Sequence, residues 1–117
     1  MKLSPHAKRE LTREVRAQVF ERARGKCEAC KRQLGESGHL DHMFGRAKAP
    51  TAVDTCWALC LKCDDDKTHN RPSAIHWLRL FWVHCRVWGY EGPAERAAVK
   101  ANTLKAKGLA GPVGRAA

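Results

Sequence analysis

The residues best equipped for chemistry are thiols at a fixed spacing. Cys27-Glu28-Ala29-Cys30 and Cys60-Leu61-Lys62-Cys63 each separate two cysteines by two residues, which lets both sulfurs of a pair reach one tetrahedral zinc ion. Two such knuckles complete a four-thiolate shell. Free buried thiols, or one local redox pair, would account for one knuckle and leave the other a coincidence. Cys56 and Cys85 lie outside the pattern in apolar surroundings and read as small core residues. A zinc ion closed by four thiolates has no position left for water. Its role is structural, and any reaction needs a second centre.

The spacing between the knuckles points to that centre. A simple zinc ribbon separates its pairs by about 15–20 residues, whereas a much longer segment lies between Cys30 and Cys60. That segment contains Asp41-His42, and Asp64-Asp65-Asp66 follows the last knuckle directly. Asp41, His42 and Asp64 supply hard oxygen ligands and a titratable base. Taken alone, an Asp-His pair usually reads as a surface turn or a local hydrogen bond. The acidic run reads equally well as a solvated helix N-terminus, where carboxylates favour the dipole, and this is the reading for Asp65 and Asp66.

Composition narrows the partner. The 117 residues carry 22 Lys and Arg against 12 Asp and Glu, a formal net charge of +10, and such an excess attracts polyanions, nucleic acid foremost. No apolar run approaches the ~20 residues that span a bilayer; Leu80-Phe81-Trp82-Val83 is bounded by Arg79 and His84. The basic stretch Ser4-Pro5-His6-Ala7-Lys8-Arg9-Glu10 does not open into a secretory signal. A cytoplasmic location follows as the expectation, and in that reducing compartment paired thiols hold metal more often than disulfides. A chain of this length buries only about two thirds of its unfolded surface, so a metal staple adds needed stability.

The elements that must position these groups fall into four segments. Residues 1–26 form a basic amphipathic helix: Leu11, Val15 and Val19 share a stripe flanked by Phe20 and Ala23, with Lys8, Arg9, Arg13, Arg16, Arg22 and Arg24 on the solvated faces. Residues 27–73 hold the knuckles and a hairpin with a long loop, built from His39-Leu40-Asp41-His42 and Cys56-Trp57-Ala58-Leu59, punctuated by Gly35, Gly38, Gly45 and Pro50. Residues 74–107 form C-terminal helices that pack on this core. The first begins after Asn70, Pro72 and Ser73 and is largely buried through Ile75, Trp77, Leu78, Phe81, Trp82, Cys85 and Trp88, until Gly89 stops it. A weaker helix runs from Ala94 after Pro93, and residues 108–117 are a flexible tail. The tryptophans could stack on bases, but their helical neighbours assign Trp77, Trp82 and Trp88 to burial. His39, His76 and His84 are assigned to structure or surface.

Together these residues resemble a known family. The order Cys27-x-x-Cys30, Leu40-Asp41-His42-Met43, Cys56-Trp57-Ala58-Leu59-Cys60-x-x-Cys63 and Lys67-Thr68 resembles the HNH endonucleases, in the zinc-knuckled form common among bacteriophage and bacterial proteins. The lead-in Val15-x(3)-Val19-Phe20-x(3)-Arg24-Gly25-Lys26-Cys27 resembles that group too, so the match covers residues 14–73. The resemblance implies a ββα-metal core, also called a His-Me finger; with the structural zinc read from the cysteine spacing and the flanking N- and C-terminal helices read from composition alone, the expected fold is a small α+β one. It implies DNA as partner, and hydrolysis of phosphodiester bonds by nicking or low-specificity cleavage.

Carried over by position, the resemblance makes His42 the base that activates water and Asp41 the neighbouring ligand of a catalytic Mg2+ or Mn2+. Asp64 falls where the family has its last histidine or an asparagine, and a carboxylate holds Mg2+ at least as well. Thr55, with Asp54 beside it, stands where the family has the asparagine that orients the imidazole, a departure from the pattern. His69 is a second candidate ligand. Arg46, Lys48, Lys67 and Arg71 bracket the site as phosphate contacts. Adjacent residues of a regular strand point to opposite faces, so Asp41 and His42 share a site only where the strand ends, bends or twists. Two rival readings remain: a non-catalytic zinc-scaffolded DNA-binding module, and an adaptor whose tryptophan-rich helix docks on phage replication or packaging proteins.

Overall fold

The computed structural model describes residues 4–36, 38–45 and 49–108, with only the backbone of Arg71. These residues form a small α+β structure with four α-helices and one two-stranded antiparallel sheet. Their contacts divide the chain into two compact units, one ending at Cys60 and the other beginning at Leu61. None of the described helices is long and apolar enough to cross a membrane.

The first unit opens with α1 (Pro5–Ala23), whose start is set by local chemistry. The Ser4 hydroxyl accepts the Ala7 N–H at 3.1 Å and Pro5 occupies the first turn, where its missing N–H costs nothing. Val15 and Val19 are the buried part of the expected stripe. The helix closes with Arg24 in the left-handed region at φ 53°. Strands β1 (His39–His42) and β2 (Cys56–Leu59) pair antiparallel, with Asp41 opposite Trp57 and His42 opposite Cys56. All four residues of β2 are buried, so β1 carries the accessible edge of the hairpin.

One buried charge pair ties these parts together, and Arg22 departs here from its expected place on a solvated face. Its Nε and Nη2 donate to both Glu28 carboxylate oxygens at 2.7 Å, while Nη1 and Nη2 reach the carbonyls of Val53 and Cys56 at 2.8 and 3.0 Å. Glu28 also accepts the Ala58 N–H at 3.0 Å. The two side chains are only 6% and 5% exposed, so each charge depends on its partner. Glu28→Ala is expected to cost about 3–5 kcal/mol, because it strands a buried guanidinium. Urea unfolding of the two proteins checks this, and a loss below about 1 kcal/mol would show that water replaces the pair.

The second unit contains α2 (Leu61–His69), a 3-10 turn (Arg71–Ser73), α3 (Ala74–Trp88) and α4 (Glu91–Ala106). Helices α3 and α4 form a hairpin, with Gly89 at φ 77° ending α3. Ile75, Trp77, Leu78, Phe81 and Cys85 are buried from α3, and Ala94, Ala97 and Ala101 from α4. Small side chains at that spacing let two helices approach closely. Pro93 lies inside the first turn of α4 rather than before it, since no intrahelical acceptor is needed there.

Two expectations for this unit are corrected. Trp82 and Trp88 are 42% and 47% exposed, and Val83 and Val87 are exposed beside them. Their spacing from Phe81 and Cys85 turns Trp82, Val83 and Val87 away from the buried stripe of α3. Asp66 is also more than a solvated helix residue. It accepts Trp77 Nε1 at 2.7 Å and Asn70 Nδ2 at 3.0 Å.

Those bonds, Asn70 first and Trp77 next, outweigh a smaller effect of burial and hold the Asp66 carboxyl below its ordinary value. A depressed carboxylate stabilises the fold above the unfolded pKa of about 3.9, and that contribution disappears as pH falls through the lower folded value. Asp66→Ala is expected to cost about 1–3 kcal/mol at neutral pH, since the buried indole N–H loses its acceptor. The deficit relative to wild type should shrink once acid protonates Asp66. Urea titrations at neutral and acid pH measure both effects.

Candidate functional site

The first knuckle is a closed loop before any metal is considered. Lys26 bridges to Gln33, the Cys27 N–H donates to the Arg32 carbonyl at 2.8 Å, and the Lys31 N–H returns to the Cys27 carbonyl at 2.9 Å. Lys31 takes φ 69° to make that turn. The loop leaves Cys27 buried and Cys30 exposed, and their sulfurs lie close to those of Cys60, just after β2, and Cys63 in α2. The four sulfurs lie within 4.8 Å of one another. Tetrahedral Zn–S bonds of about 2.3 Å require neighbouring sulfurs about 3.8 Å apart, and Cys30 Sγ and Cys60 Sγ are 3.8 Å apart.

This donor set fits a structural zinc. Burial alone would raise the Cys27 thiol, but backbone N–H groups of Cys30, Cys60 and Ala29 and the Cys30 side chain bring it down to about 7. A sulfur prepared in this way is ready to ligate as thiolate. Cys56 behaves in the opposite way: burial pushes its thiol up, consistent with a packed core residue. Among the described residues no other group of three or more close His, Cys, Asp or Glu ligands occurs.

Asp41 and His42 stand at the C-terminal end of β1, where the strand gives way to a turn at Met43 and Phe44 and Gly45 adopts φ 84°. Both are still paired in the strand, Asp41 with Trp57 and His42 with Cys56, so the alternation of a regular strand is kept and the two side chains meet different partners. Asp41 Oδ2 accepts the indole N–H of its cross-strand neighbour Trp57 at 2.9 Å, and Trp57 is fully buried. His42 Nε2 lies 3.1 Å from the Thr51 hydroxyl. It opens on a cavity of about 380 Å3 whose other walls include Lys8, Leu11 and Thr12 of α1 and Ala49 and Pro50 of the loop.

Thr55 does not take the position expected of it. Its hydroxyl donates to the Pro50 carbonyl at 2.8 Å and to Ala52 at 3.3 Å, while its backbone carbonyl accepts the Met43 N–H at 3.1 Å. Thr55 therefore closes the 50–55 loop, and Thr51 within that loop makes the contact to the imidazole. No motif spacing marks Thr51. Only the loop closure and its apolar neighbours could have drawn attention to it.

The remaining candidates occupy varied settings. Asp64 is half-buried in the first turn of α2. His69 faces Asp65 across one turn at 3.6 Å, with both side chains more than two thirds exposed at 72% and 77%. Lys67 is half-buried in the last turn of α2. Arg46, Lys48 and the Arg71 side chain lie outside the described residues, as does the tail beyond Gly108. His84 is buried, stacked on Phe81 at 5.6 Å, and His76 meets the Trp77 ring edge-on at 5.8 Å. Both fit structural roles. Set against family models, curated proteins and solved structures, the chain matches none of them.

Proposed function

We propose that this chain is a zinc-scaffolded, metal-dependent DNA endonuclease of the HNH kind, which nicks or cleaves with low specificity by hydrolysing phosphodiester bonds. The observation that carries the reading is His42 at the end of β1, held by Thr51 and opening on a cleft beside Lys8. The order β1, β2, α2 supports it as well, being the element order of a ββα-metal core.

In this reading His42 acts as general base. A neutral imidazole carries a nitrogen lone pair that can take the proton of the attacking water. The contact with Thr51 fixes the ring plane, and Asp41 is steadied by the Trp57 N–H. Asp41 would hold Mg2+ or Mn2+, which would supply Lewis-acid stabilisation of the charge on phosphorus and on the leaving 3′-oxygen, and Asp64 is the expected second ligand by the resemblance alone. Lys67, Arg46, Lys48 and Arg71 add sequence-independent attraction to phosphates. DNA is the partner, and a phage or bacterial cytoplasm is the setting.

A second reading draws on the exposed Trp82, Val83 and Val87. It makes the chain an adaptor for phage replication or packaging proteins and expects no cleavage. Supercoiled plasmid separates the two. The endonuclease converts it to open circles on addition of Mg2+ or Mn2+, whereas the adaptor leaves it intact with every metal.

A further inference from the structure

The cleft beside His42 has walls that hydrolysis itself does not need. A scissile phosphate calls for cations and hydrogen-bond donors, yet Leu11, Ala49 and Pro50 line this cavity together with Lys8, Thr12, His42 and Thr51. Leu11 begins the apolar stripe of α1, in which Val15 and Val19 are buried. Leu11 itself stays only half-buried and lines the cavity instead of joining that packing. Apolar walls with a few convergent polar groups are the pattern of a small-molecule pocket, and such pockets run from about 300 to 1,000 Å3. The cavity measures about 380 Å3.

A base inside duplex DNA cannot enter a concavity of this kind, because stacking covers both its faces and pairing covers its edge. An extruded nucleotide can enter, and extrusion is least costly where the base is already unpaired. We propose that the cleft receives one unpaired nucleotide, with base or sugar against Leu11, Ala49 and Pro50 and a neighbouring phosphate on Lys8. The preferred substrate is then single-stranded or locally unpaired DNA. This deepens the endonuclease reading and rests on it for the reaction, while its test reads binding alone.

The experiment measures fluorescence anisotropy of labelled oligothymidylate and of an equally long duplex with the zinc-loaded protein, without Mg2+ or Mn2+. Covering about 60 Å2 of apolar surface on one base against these walls is enough for about a tenfold preference, so the single strand should bind about tenfold more tightly than the duplex at matched salt. Leu11→Trp fills the cleft, and Leu11→Ser removes its apolar wall while keeping the helix. Both should abolish the preference and leave duplex affinity within about twofold. Lys8→Ala should weaken both ligands and lower the salt slope by about one.

Circular dichroism of each variant separates a filled cleft from an unfolded one, and Leu11→Ser remains informative if the bulkier variant misfolds. Equal affinity for the two nucleic acids, absence of binding, or Leu11 variants that alter both ligands alike would overturn the proposal. Retained single-strand preference with no cleavage under any metal would instead remove the endonuclease reading and leave the cleft as a nucleotide-binding site.

Discussion

Removing the zinc proposed for the four-cysteine site is expected to unfold the first unit while the α3–α4 hairpin keeps its helical signal. Apart from buried Cys27 and the Glu28–Arg22 pair, the knuckle between Lys26 and Gln33 is held by a few backbone hydrogen bonds. A structural zinc contributes about 10–16 kcal/mol of binding free energy, as large as the entire stability of about 5–15 kcal/mol typical of a domain. Loss of the ion frees Cys60, just after β2, and with it the strand that carries buried Trp57. Chelation should therefore abolish the near-ultraviolet dichroism of Trp57, and added zinc should restore it. Because the Cys27 thiol lies at about 7, protons compete with zinc increasingly below neutrality, and chelation should be easier at mildly acid pH. Unchanged thermal unfolding after complete zinc removal would contradict this account.

The second large effect concerns the two threonines of the 50–55 loop. His42→Ala removes the proposed general base, and loss of such a group lowers rates by about 10²- to 10⁴-fold. Thr51→Val keeps the imidazole but deletes the hydroxyl 3.1 Å from its Nε2, and misplacement on the scale of an ångström can cost about 10²-fold. Thr55→Val should act differently. Its hydroxyl bonds only loop carbonyls and the Cys56 sulfur, so the main expected result is about 1 kcal/mol of lost stability. Cleavage rates for the three variants, each normalised to its folded fraction, test the assignment. A larger rate loss for Thr55→Val than for Thr51→Val would return the orienting role to Thr55.

Much of the framework was legible because it depends on short-range chemistry. Two residues between paired cysteines are enough to bring both sulfurs to one ion, and the four thiols do converge. The stripe of α1 and the paired segments of the hairpin are likewise local features. What escaped the sequence depends on packing between distant segments. Arg22 reads as one more cation on a basic helix, and nothing nearby announces that Glu28, Val53 and Cys56 will enclose it. Asp66 reads as part of an acidic run until Trp77 donates to it from the next helix. Trp82 reads as core because tryptophan is large and apolar, yet its position on α3 turns it from the buried face. Thr51 was invisible for the same reason, since the fold of a loop decides which hydroxyl reaches the imidazole.

The central claim is that His42 drives metal-dependent hydrolysis of DNA. The direct test incubates zinc-loaded wild type and His42→Ala, purified identically, with supercoiled plasmid and Mg2+ or Mn2+ and follows the topoisomers. Open circles from wild type alone, with both proteins folded and binding DNA equally, are the predicted result. Intact plasmid with wild type under every metal, or equal nicking by His42→Ala, would contradict it.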